Sequence, residues 1–170
     1  MEFSIKQVSP EKLRSACVMV GVFEGGKLTD AAQILDKTSQ HYISEIIARG
    51  DMNGKTATTL LLHKVPNINS ERVLLLGLGK RAELDATQFR DCMLAAMRAL
   101  KTTSAKEVQM YVAELPVKER NAAWCINQAV WAAHEVAYRS DTLKSKADKD
   151  KNPLKKIHFL LAQSQAQRDA

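Results

Sequence analysis

Cysteine is scarce in this sequence: the 170 residues hold three, Cys17, Cys92 and Cys125. They are widely spaced, form no C-x-x-C pair and are odd in number, which argues against a closed disulfide framework and fits a reducing, cytoplasmic setting. Long apolar runs are missing as well. None comes near the roughly 20 residues a membrane-spanning helix requires, so no membrane association is expected. The one run that imitates a signal-peptide core, "ACVMVGVF" (16–23), follows an acidic, proline-containing segment and leads into Glu24 instead of a small-residue cleavage site. It reads as a buried strand. No internal repeat is visible.

What is present is the composition of a globular domain, with 45% hydrophobic and 26% charged residues. A chain of this length buries about 70% of the surface it exposes when unfolded, enough for a core that needs no disulfide or metal. The formal charge of +6 and pI near 9.3 permit contact with nucleic acid or an acidic surface without demanding it.

The hydrophobic period changes in a regular order along the chain. "MEFSIKQV" alternates as a strand does, and "ACVMVGVF" is continuous, as in a strand covered on both faces. After the turn "EGG", a helical stripe of Ala32, Leu35, Tyr42, Ile43, Ile46 and Ile47 predicts one helix of about 18 residues, with Thr29 as N-cap and Gly50 just past its end. Strands near 57–64 and 72–77 flank "NINS" and predict a hairpin. Leu84, Phe89, Cys92, Met93, Ala96, Met97 and Leu100 share a second helical face, 107–115 returns to a strand, and 117–140 forms a third helix carrying Trp124, Val130, Trp131 and Val136. A strand at 155–162 closes the series. The order β-β-α-β-β-α-β-α-β implies an α/β layer structure with a mixed central sheet flanked by helices. Residues 140–153, "SDTLKSKADKDKNP", read as an exposed, mobile Lys-rich loop.

Few stretches suggest chemistry. "ERVLLLGLGKRA" places Gly77, Gly79 and Ala82 at the G-x-G-x-x-A spacing of a dinucleotide loop. Several elements precede it, Lys80 and Arg81 fall inside it, and "AAMRALKTT" stands where the ribose-binding acid belongs. The glycines are better read as letting the chain turn from strand to helix. His41, His63, His134 and His158 are scattered, with none at the i, i+4 spacing of a helical zinc site, and read as surface or half-buried side chains. "HEVAY" lacks the second histidine of a zincin. The cysteines sit on apolar stripes and read as small hydrophobes. Lys144, Lys146, Lys149, Lys151, Lys155 and Lys156, set against Asp148 and Asp150, form a cationic stretch able to neutralise DNA phosphates, without the interleaved aromatics that stack bases.

Three long segments carry a resemblance. "MEFSIKQVSPEKLRSACVMVGVFE", "HYISEIIARGDMNGKTATTLLLHKVPNINSERVLLLGLGK" and "LPVKERNAAWCINQAV" followed by "YRSDTLKSK" resemble the amino-terminal domain of the bacterial leucyl aminopeptidases, or cytosol aminopeptidases. The resemblance implies a macro-like, three-layer α/β domain over residues 1–162, with 163–170 beginning a linker to a catalytic domain outside this sequence. It also implies a parent enzyme that removes N-terminal residues from peptides with two divalent ions, Mn or Zn, and assembles as a homo-hexamer. Some bacterial members bind double-stranded DNA, in recombination and transcriptional control, and some macro-like domains bind ADP-ribose. The family's catalytic signature, Asn-Thr-Asp-Ala-Glu-Gly-Arg, occurs nowhere in the 170 residues, so no catalytic, metal or cofactor position is carried over. The expected role is that of a non-catalytic accessory domain supporting assembly and access to the active site.

Overall fold

Two strands open the chain, β1 (Glu2–Gln7) and β2 (Val18–Phe23), joined by residues 8–17 with a single 3-10 turn at Pro10–Lys12. Then come α1 (Asp30–Thr38), α2 (Tyr42–Ala48), β3 (Thr59–His63), β4 (Arg72–Gly79), α3 (Ala86–Lys101), β5 (Glu107–Met110), α4 (Ala122–Leu143) and β6 (Lys156–Leu161). This is a computed structural model, and it describes residues 1–143 and 154–161. Among them six strands form one sheet in the order β1-β6-β5-β2-β4-β3. Only β3 runs against its neighbour, in the hairpin with β4 that the two apolar runs predict. Every other pairing is parallel.

Strand alternation sorts the side chains of β2 into two cores. Val18, Val20 and Val22 join Ala32 and Leu35 of α1 and Ile43 and Ile46 of α2 on one face. Met19 and Phe23 join Phe89, Met93 and Met97 of α3 and Cys125, Ala129 and Ala132 of α4 on the other. The sheet is the middle of three layers, and all six residues of β2 are buried, as their unbroken apolar run predicts.

The 29–47 region is two helices instead of one. Gln40 and His41 have φ of +57° and +64°, left-handed values that no helix continues through. The buried Asp36 carboxylate stabilises the break: its Oδ1 accepts from the Ser44 backbone N at 2.8 Å and its Oδ2 from Ser44 Oγ at 2.6 Å and His41 Nδ1 at 3.1 Å. The end signals at Thr29 and Gly50 are correct nonetheless. Thr29 Oγ1 accepts from Ala32 N at 3.4 Å, and Gly50, with φ of +86°, follows α2. β5 is shorter than 107–115, because the chain leaves the sheet after Met110 while still burying Val112 and Leu115. The third helix starts later, capped by Asn121 Oδ1, which accepts from Trp124 N at 2.9 Å, and it runs on through 140–143, residues assigned above to the loop. The expectations for 144–153 and 162–170 lie outside the described residues.

Candidate functional site

In an open parallel sheet the crevice lies where neighbouring strands send their connections to opposite faces. Here that point is the C-terminal end of β2 and β5: the chain leaves β2 for α1 on one face, while β5 leads to α4 on the other. A shallow cleft opens there, about 320 Å³ including solvent at its mouth, lined by Phe23, Thr29, Asp30, Arg81, Tyr111 and Glu114 among others. Its charges are mixed. The Arg81 guanidinium sits 5.5 Å from the centroid of the Phe23 ring, and Asp30 occupies the first turn of α1. Tyr111 donates its hydroxyl proton to Val8 O at 2.7 Å, and burial, with Glu114 and Glu11 nearby, pushes its pKa up. A protonated, committed phenol is no nucleophile, and no histidine or cysteine lines the cleft.

The glycine segment is already occupied by protein. Gly77 N donates to Thr58 O at 2.7 Å and Gly79 N to Gly54 O at 2.8 Å, so the amides that would cradle a pyrophosphate are used by the loop before β3. A Cβ on Gly77 would stand 2.1 Å from Lys55 O and one on Gly79 2.2 Å from Thr56 Oγ1. This corrects the turn explanation. Gly77 lies inside β4 without a positive φ, and its requirement is close backbone approach; only Gly79, at φ +76°, also needs the left-handed region. α3 begins after its cap Asp85, whose Oδ1 accepts from Gln88 N, six residues past Gly79.

The three cysteines are buried, as their apolar stripes predict. Burial pushes the Cys17 thiol up to about 12 against the pull of Arg72, and those of Cys92 and Cys125 up to about 11. His41, His63 and His134 are exposed, but His158 is buried, contrary to expectation. Parallel register brings Ser4, His158 and Gln109 into one row, where Ser4 Oγ hydrogen-bonds His158 Nδ1 and His158 Nε2 lies 3.4 Å from Glu107 Oε2. Among the described residues no three of His, Cys, Asp and Glu converge as metal ligands. Nor is any described helix long and apolar enough to cross a membrane.

Of the six candidate DNA-contacting lysines, Lys144, Lys146, Lys149 and Lys151 lie outside the described residues. Lys155 and Lys156 are exposed at the start of β6, with Lys156 Nζ 3.8 Å from Glu2 Oε2. The sheet adds one more: Lys155 N and Lys156 N both donate to Lys106 O, at 2.7 and 3.1 Å, which sets exposed Lys106 beside them. Sequence reading missed Lys106 and the cleft residues for one reason. β5 is next to β2 and β6 only in the sheet, and no local signal reveals that order.

Residues 19–147 match the profile described as the cytosol aminopeptidase family, N-terminal domain. This chain belongs to the cytosol aminopeptidase family. It is 46% identical over 157 residues to a probable cytosol aminopeptidase of Dechloromonas aromatica, covering 92% of this chain and 32% of that relative. A relative of the same description from Idiomarina loihiensis is also 46% identical, with 94% and 32% covered. The chain therefore spans about a third of the length of these aminopeptidases. In shape it resembles a leucine aminopeptidase from tomato, with a TM-score of 0.70, 16% identity and coverage of 95% of this chain and 32% of that one. It also resembles the macrodomain of Mycobacterium tuberculosis DarG, with a TM-score of 0.65, 7% identity and coverage of 92% and 96%. At such identities both likenesses show the fold alone, which is macro-like, as expected for this domain of the aminopeptidases.

Proposed function

We propose that this chain is the non-catalytic N-terminal accessory domain of a cytoplasmic di-metal leucyl aminopeptidase. The reading rests on one observation, the match of residues 19–147 to the N-terminal domain of a family whose relatives are about three times as long. The residues present do not fit a two-metal centre, which needs a cage of carboxylates; the described acids and histidines do not converge, and the signature sequence is absent. Two divalent ions, Mn or Zn, would belong to the remaining polypeptide, and this domain would support hexamer assembly and access to the active site. Hydrolysis of a leucyl anilide with added Mn²⁺ tests it: the 170-residue chain should be inactive and the product of the complete reading frame active. An inactive complete protein would overturn the proposal.

A second reading, contact with double-stranded DNA, is favoured by the gathering of Lys106, Lys155 and Lys156 at one end of the sheet. Phosphate contact requires affinity that falls steeply between low and physiological salt. A flat salt titration, or no loss on replacing the three lysines by glutamine, removes it. Binding of ADP-ribose has lost the glycine segment as support and would have to use the mixed-charge cleft. Calorimetry showing no heat at millimolar ADP-ribose ends that alternative.

A further inference from the structure

The apolar side chains left outside the two cores gather at one edge. Among the described residues the large exposed ones are Met1, Ile5, Trp131 and Tyr138, with Ile5 61% and Tyr138 70% exposed. Two of them flank Phe3 near the start of the chain and two flank His134 on α4. The rings of Phe3 and His134 meet edge-on with centroids 5.5 Å apart, which anchors both pairs to one contact. Strand alternation puts Ile5 on the Phe3 side of β1. Helical spacing puts Trp131 and Tyr138, three residues before and four after, on the His134 face of α4.

α4 connects the parallel strands β5 and β6, so it runs opposite to β1. Trp131 consequently lies toward Ile5, and Tyr138 toward Met1. The helix advances about 10 Å from Trp131 to Tyr138, and the strand about 13 Å from Met1 to Ile5. The two tracks therefore run side by side as one apolar strip. It follows the edge of the sheet where β1, among the described residues, has a neighbour on one side only. An aromatic strip beside an unpaired strand edge is a surface that proteins usually cover.

We propose that this strip is the seat of the catalytic part of the aminopeptidase, the polypeptide that follows β6 in the relatives. The inference rests on the accessory-domain reading. Two observations select this occupant over a second copy of the chain or a nucleic acid. The matched relatives carry about two thirds of their length beyond this domain, and that mass must pack somewhere. β6 also delivers the chain to the right place: Leu161 is in register with Gln7, so the polypeptide leaves the sheet one strand away from β1, at the Ile5 and Trp131 end of the strip. The four exposed side chains are Met, Ile, Trp and Tyr and carry no charge, so they offer phosphates no ionic contact.

Hydrogen exchange on the complete reading frame and on the 170-residue chain tests the assignment. Peptides covering 1–7 and 127–138 should exchange at least about tenfold more slowly in the complete protein, while β3 at the opposite edge should exchange equally in both. Ile5→Lys with Tyr138→Lys should abolish that protection and speed proteolysis after residue 161. Equal exchange at the strip in the two proteins overturns the proposal. So does protection of the strip in the short chain that rises with its concentration, the mark of self-association. Leucyl anilide hydrolysis by the complete protein is read separately: activity with an unprotected strip sinks only the docking surface, and a protected strip without activity sinks only the peptidase assignment.

Discussion

Glycine at 77 is required by what its missing side chain makes room for. Gly77→Ala would drive a methyl into Lys55 O, a backbone atom that cannot step aside, and should destabilise the chain by about 2 kcal/mol or more. Gly25 is the control: it has φ of +87° and open space around it, so Gly25→Ala should cost only about 1 kcal/mol of left-handed strain. Urea midpoints of the two variants check the order. Asp36 belongs to the same scale. Burial raises its pKa, but the hydrogen bonds from Ser44 and His41 outweigh this and hold it below the ordinary 3.8. A carboxylate depressed on folding stabilises fully above its unfolded pKa and loses that contribution as pH falls through the folded one. Asp36→Asn should therefore lower stability by about 2 kcal/mol at neutral pH, and the gap from wild type should close below pH ~4. Thermal melts across pH would show it. The thiols make a third case. With pKa values pushed up to about 11 to 12 and no exposure, Cys17, Cys92 and Cys125 should resist a thiol reagent at pH ~8 in the folded chain and all three should react in denaturant.

Among the elements, those legible in the sequence were the ones whose pattern has a single solution. The unbroken apolar run of β2 permits only a strand covered on both faces, and the 3.6-residue stripe of α3 permits only a helix against the sheet. The break between α1 and α2 was hidden because apolar positions on either side of Ser39–His41 fall close to one helical period, while its cause, Asp36 reaching Ser44, is a contact across the break. The three polar residues Thr38, Ser39 and Gln40 were the available signal. The break also makes a prediction. Gln40 is exposed and left-handed, so Gln40→Gly should stabilise the chain by up to about 1 kcal/mol, read as a raised urea midpoint. The cleft was illegible for a different reason: Phe23, Arg81 and Tyr111 lie far apart along the chain and meet only through the order of β2, β4 and β5.

At the scale of the whole molecule the sheet is stitched by its most distant members. Among the described residues β1 has one neighbour, β6, and the Ser4–His158 hydrogen bond joins residues 154 apart in sequence. A nascent chain thus makes β1 first and houses it last, because no earlier strand offers it an edge. Throughout translation Phe3 and Ile5 remain without their partners in β6, available to any factor that holds extended apolar segments. Fragments ending before Lys156 should keep β1 protease-sensitive, whatever the rest of the sheet has achieved.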